Sequence, residues 1–183
     1  MSVKGSRTTA DYVDYEKLMF QAEKLLQDKK TRVIGTYIIV AINTGLRCGD
    51  ILKLTVEDLK NDTVTLQEQK TKKHKIIAIN DNIKNLVRKI GVHSGSPFIS
   101  QKGSVISIQH LNQELKKHIR VKGLNISSHS LRKSFGRRVF QQNNESELAL
   151  VYLSEIFNHS SILMTKIYLG IRQQELNNVY LNL

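Results

Sequence analysis

Only two stretches of this 183-residue chain have the make-up of β-strands: Thr63-Val-Thr-Leu-Gln and Lys75-Ile-Ile-Ala-Ile, each rich in β-branched residues. Between them lies the basic run Lys70-Thr-Lys-Lys-His, which predicts a hairpin with a lysine-rich tip. Elsewhere apolar residues return every three or four positions, the spacing of one helix face. Tyr15, Leu18, Met19, Ala22, Leu25 and Leu26 form such a stripe behind Asp14 as its cap. An apolar stretch over 33–42 follows Thr31 as a cap and closes near Gly45, with a short helical turn over 47–54. Asp81 is expected to cap a helix with Ile83, Leu86, Val87 and Ile90 inward and Gly91 at its end. Ile108, Leu111, Leu115 and Ile119 share a helix face, a helix begins near His129, and two more span 148–157 and 161–171. The expected fold is therefore mainly α with a small antiparallel β-sheet (α+β), in one domain over 1–183.

A chain of this length with 40% hydrophobic residues can bury a core without disulfides or metal. Its single cysteine, Cys48, has no partner for an intrachain disulfide and rules out a Cys-rich zinc site, which suits a reducing cytoplasm. The longest apolar run, 37–42, is far too short to span a bilayer, so no membrane partner is expected. A net charge of +12 points to a polyanion, with nucleic acid the first candidate.

Three segments carry chemistry. In Thr44-Gly45-Leu46-Arg47-Cys48-Gly49-Asp50 an arginine leaves a glycine turn and enters a helix, with Asp50 on the same face and placed to hold the guanidinium. In Ser128-His129-Ser130-Leu131-Arg132 a histidine and an arginine three apart share one helix face. The stretch over 157–168 sets His159 nine residues ahead of Tyr168.

In this order, the three segments resemble the boxes of the tyrosine recombinases: an arginine in Thr-Gly-Leu-Arg, a His-x-x-Arg pair, and a His-to-Tyr box near the C-terminus. The resemblance covers residues 43–168. It implies that Tyr168 is the nucleophile and that a lysine on the hairpin turn completes the site. Lys70 is the matching position, with Lys72 and Lys73 as fallbacks. The family's usual Leu-Gly before the second histidine is Phe157-Asn158 here. Asn tolerates the left-handed conformation that Gly supplies, so the helix can still end before His159.

The residue types suit phosphodiester chemistry. Making phenolate at neutral pH costs about 4 kcal/mol for an ordinary tyrosine, so Tyr168 needs help from His129 and the two arginines. Guanidinium stays charged and can grip two phosphate oxygens at once, which assigns Arg47 and Arg132 to a phosphate clamp. Lys70, among other cations, suits protonation of the leaving 5′-oxygen, and His159 is expected to hydrogen-bond the scissile phosphate. The scheme needs no cofactor and no metal. Glu57, Asp58 and Asp62 read as caps and turn residues rather than as metal ligands. Tyr152 and Tyr180 read as packing residues. Lys72, Lys73, Lys75, Lys133, Arg137 and Arg138, with Lys116 and Lys117, are candidate DNA-phosphate contacts.

The expected activity is site-specific DNA recombination, integrative or excisive, by cleavage and rejoining of double-stranded DNA through a 3′-phosphotyrosine, in a phage or other mobile element. The alternatives are a non-catalytic DNA-binding protein that keeps the fold, or a chromosome-dimer resolvase with the same chemistry. By resemblance, the active form is a homo-tetramer on DNA that can be a monomer in solution. Residues 1–12 are expected to be a flexible lead-in and 172–183 a C-terminal helix. Its stripe of Leu176, Val179, Tyr180 and Leu183 either packs on its own core or is exchanged between protomers. The chain begins almost at the catalytic domain, without the core-binding domain that family members usually carry ahead of it, and so is expected to be a fragment.

Overall fold

A computed structural model describes residues 10–70 and 72–182. The chain folds as ten helices and one hairpin among these residues. In order they are α1 (Tyr15–Gln27), α2 (Arg32–Thr44), α3 (Cys48–Ile51), α4 (Val56–Lys60), β1 (Thr63–Gln67), β2 (His74–Ala78), α5 (Asp81–Ile90), α6 (Ile108–His118), α7 (Ser128–Gln142), α8 (Glu147–Phe157), α9 (Ile162–Leu169) and α10 (Ile171–Leu181). The expected α+β class is the one observed. The strands pair antiparallel in the register Thr63 to Ala78 through Gln67 to His74, so β2 starts one residue earlier than its composition suggests.

Helix α2 lies at the centre and is buried along almost its whole length. It packs against α1, α5 and α7. Local chemistry sets the ends of the elements. Asp14 caps α1 and Ser127 forms a capping box with Ser130 at the start of α7, satisfying backbone N–H groups that no helical carbonyl can reach. The cap of α5 is Asn80, which accepts from Ile83 N–H, and Asp81 is its first helical residue. Thr31 sits at the N-cap of α2 without a side-chain cap and donates instead to the Leu25 carbonyl.

Gly45 ends α2 at φ 61°, and a Cβ there would meet the Phe135 ring at 2.3 Å. Only glycine allows both the left-handed turn and the close approach of α7. Gly170, at φ 74°, ends α9 at Leu169, two residues before the expected end at 171, and α10 starts at Ile171, one residue ahead of the expected C-terminal helix.

Further differences lie at the surface. Ile108 is 47% exposed although its neighbours Leu111 and Leu115 are buried, because it starts α6 at the solvent edge. Tyr152 and Tyr180 are exposed rather than packed, as are Leu176 and Val179, so the apolar stripe of α10 is not covered within the chain. Leu183 of that stripe, Thr71 of the hairpin turn and residues 1–9 of the expected lead-in lie outside the described residues. Residues 10–12 of the lead-in are held. Ala10 is buried and its carbonyl accepts from Lys133 Nζ at 2.7 Å, while Asp11 exchanges two hydrogen bonds with Asn125. No described helix is long and apolar enough to cross a membrane.

Candidate active site

The three segments picked out by their sequence meet at the C-terminal end of α8. A helix end leaves carbonyls unpaired and carries partial negative charge, and here cations answer it. The Phe157 carbonyl accepts from Arg47 Nη2 at 3.0 Å and from Arg132 Nη2 at 3.1 Å. Lys75 Nζ donates to the Ile156 carbonyl. Arg132 is buried, donates also to the Gly45 carbonyl, and lies over the Phe157 ring at 4.4 Å. Burial pushes its pKa down to about 10, so it remains a cation at neutral pH.

Asn158 follows at φ 51°, ψ 49°, the left-handed cap its residue type permits. The turn brings His159 beside Tyr168. Their ring centroids are 5.2 Å apart and both rings contact Phe157. His159 Nδ1 is 3.0 Å from the hydroxyl of buried Thr165. Burial, then Arg132, Arg47 and Lys70, push the His159 pKa down to about 4. Desolvation of part of the His129 ring, then Arg132, Lys133, Lys70 and Arg47, also holds that pKa below its ordinary value. Both histidines are therefore neutral at pH 7, the form that can accept a proton.

The Tyr168 hydroxyl is buried. Burial pushes its pKa up to about 12, against the opposing pull of Arg132 and Arg47. Phenolate at neutral pH then costs about 7 kcal/mol. The two arginines therefore do not by themselves ionise this tyrosine in the DNA-free chain, and phenolate at neutral pH requires a proton acceptor as well.

The carboxylate that holds Arg47 is not Asp50. Arg47 Nη1 pairs with Glu68 Oε2 at 2.8 Å, whereas Asp50 Oδ1 accepts from the Gln69 backbone N–H at 2.8 Å. Asp50 thus steadies the start of the turn that bears Lys70. Glu68 had a legible signal: it continues the inward alternation of Val64 and Leu66, and a carboxylate on a buried face requires a cation. Thr165, three residues before Tyr168 and so on its helix face, is a second residue that the sequence reading missed.

Lys70, Lys72 and Lys73 are exposed around the turn, with Lys70 near enough to depress both histidines. Lys75 lies deeper than a surface phosphate contact would. Burial, then Arg132, push its pKa down to about 8, with Arg47 adding to the effect and Glu68 and Asp50 opposing it. Lys133 approaches the Tyr168 ring at 5.5 Å. Arg137 is buried with its guanidinium over Tyr12, and Arg138 stacks on Tyr15 at 3.5 Å. These two arginines pack on the N-terminal segment and the start of α1. Lys116 and Lys117 are exposed on α6. Glu57 and Asp58 serve as helix-end and turn acceptors, Asp62 pairs with Lys84, and no metal-binding cluster of three or more His, Cys, Asp or Glu occurs among the described residues.

The chain matches the phage integrase family over residues 10–175. The probable integrase/recombinase YoeC of Bacillus subtilis (strain 168) is 32% identical over 166 residues, covering 87% of this chain and 89% of that protein. Tyrosine recombinase XerA of Saccharolobus solfataricus (strain ATCC 35092 / DSM 1617 / JCM 11322 / P2) is 24% identical, covering 88% of this chain and 54% of the relative. Among solved structures, a lambda integrase dimer bound to a COC′ core site superposes with a TM-score of 0.67 at 14% identity, over 90% of this chain and 49% of that one. The XerH recombinase in a post-cleavage complex with palindromic difH substrate gives 0.64 at 22% identity, over 94% and 53%. This chain therefore spans most of YoeC but about half of XerA and of these two solved chains. The chain belongs to the phage integrase family, and the domain it forms is a tyrosine recombinase catalytic domain.

Proposed function

We propose that this chain cleaves and rejoins double-stranded DNA at specific sites through a covalent 3′-phosphotyrosine at Tyr168, as the integrase of a phage or other mobile element acting in the cytoplasm. The observation that carries the reading is the burial of the Tyr168 hydroxyl among two arginines and a neutral histidine of the same chain. Arg47 and Arg132 clamp the non-bridging oxygens and stabilise the charge that builds on them. His129 accepts the phenol proton. Tyr168 Oη bonds to phosphorus as the bond to the 5′-oxygen breaks, and Lys70 protonates that oxygen. His159, held by Thr165, hydrogen-bonds the phosphate. The phosphotyrosine bond keeps the energy of the broken linkage, so a 5′-hydroxyl of another strand reverses the step without ATP.

The active assembly in this reading is a homo-tetramer on two duplexes, formed from chains that can be monomeric in solution. The exposed stripe of Leu176, Val179 and Tyr180 on α10 supports it, since α8 and α9 leave Leu148, Tyr152, Leu163 and Met164 exposed as an apolar complement. Head-to-tail contacts of this kind form a ring when the rotation from copy to copy closes. The test is incubation with nicked duplexes of randomised core sequence, from which the short fragment bearing the freed 5′-hydroxyl escapes. A detergent-stable protein–DNA adduct, absent for Tyr168→Phe, is expected. Binding without any adduct would instead favour a DNA-binding protein that keeps the fold and lacks the reaction.

A further inference from the structure

Asn158 occupies a left-handed position where glycine carries no steric cost. Its side chain therefore invites an explanation that the backbone does not supply. Asn158 Nδ2 donates to Glu68 Oε2 at 2.6 Å, the same oxygen that pairs with Arg47 at 2.8 Å. Glu68 is fully buried. Its own backbone begins the hairpin turn, with its N–H donating to the Lys73 carbonyl at 3.0 Å and its carbonyl accepting from Lys72 N–H at 2.9 Å. One carboxylate oxygen thus ties together the arginine of the first segment, the residue preceding His159, and the turn that carries Lys70 two residues on.

We propose that Glu68 and Asn158 act as a positioning pair that holds Arg47, His159 and the Lys70 turn in one register. The role rests on the recombinase reading above. A buried carboxylate suits it, because an ionised group inside the fold tolerates only a geometry in which it stays paired. Asn158 supplies the directional N–H that makes the arrangement specific, and a glycine there would keep the cap and lose the link. Neither residue touches the reacting atoms, so their effect should fall on the rate of cleavage and not on DNA affinity. Misplacing a reacting group by a fraction of an ångström to one ångström costs on the order of tenfold to a hundredfold in rate.

The experiment compares the wild-type chain with Asn158→Gly, Glu68→Gln, Glu68→Asp and the Asn158→Gly/Glu68→Gln double variant. Adduct formation on nicked duplex is timed under single-turnover conditions, and DNA affinity is measured alongside. Asn158→Gly should slow adduct formation about tenfold with affinity within about twofold of wild type. The double variant should be no slower than Glu68→Gln alone, as expected for two residues acting as one unit, and Glu68→Asp should recover part of the rate. Wild-type rates for Asn158→Gly, or losses that multiply in the double variant, would overturn the pairing.

A DNA-free measurement separates this idea from the reaction itself. Amide exchange at Gln69 and Lys72 should accelerate in Asn158→Gly, and unchanged exchange would overturn the proposal even in a chain that forms no adduct. A wild-type chain that yields no adduct while the variant loosens the turn would count against the chemistry and in favour of the pair.

Discussion

The molecule has two apolar clusters, and they carry different halves of the site. The larger gathers α1, α2, α5, α6 and the start of α7, and on it stand the Gly45 turn with Arg47 and the first turn of α7 with His129. The smaller gathers Phe140, Ala149, Leu150, Leu153, Phe157, Leu169 and Ile171, and Tyr168 packs against it. Helix α7 runs through both, with Leu131 in the first and Phe140 in the second. The proposed clamp and the proposed nucleophile therefore rest on different clusters, joined by α7 and by arginine side chains that reach to the Phe157 carbonyl.

That difference is open to attack, and Phe157 offers the largest effect. Its ring is fully buried, supports Arg132, and touches both His159 and Tyr168. Phe157→Ala should cost about 3–5 kcal/mol. Loss concentrated in the smaller cluster would appear as early amide exchange in α8 and α9 while α2 stays protected. Uniform loss in a single denaturant transition would show that the two clusters are one cooperative unit.

Arg132→Lys probes the other foundation. A lysine retains the charge but cannot reproduce donation to Gly45 and Phe157 together with a grip on phosphate. Adduct formation should fall by about 10²–10³, with DNA binding nearly kept. An equal loss in both would place Arg132 in general binding.

The smallest effect sharpens the comparison through pH. Folded His159 resists protonation down to about 4, whereas the unfolded residue titrates near 6.5. The unfolded state thus binds more protons between these values, and stability rises with pH across that window. Stability is complete above about 6.5 and is lost on acidification toward 4. The change is on the order of 2 kcal/mol once screening at the exposed edge of the ring is allowed for. Urea midpoints measured from pH 7 to 4 should show the slope, and His159→Asn should flatten it. An unchanged slope in the variant would place the titration elsewhere.

Much of this arrangement was legible because it is local. The hairpin showed in its β-branched runs, β1 falls where its composition put it, and the left-handed cap at Asn158 follows from its residue type. The placing of His129 and Arg132 on one helix, near enough for Arg132 to lower the His129 pKa, needed only helical spacing. What escaped depends on contacts between distant segments. Arg47 lies near Asp50 in sequence, but the chain reverses to bring Glu68 against it, and nothing in the local spacing reveals that crossing. That Arg137 and Arg138 pack on Tyr12 and Tyr15 is likewise invisible in their own segment. Lys75 reads as one more surface cation until β2 is docked against the end of α8. In each case the missing information is which surface a basic residue meets, a property of packing and not of periodicity.

The measurement closest to the central claim is the location of the covalent bond. Trapped adduct, digested with nuclease and protease, should yield one peptide carrying a residual nucleotide, and fragmentation should place that mass on Tyr168. The same mass on Tyr152, Tyr180 or a serine, or no modified peptide from a preparation that cleaves DNA, would contradict the account.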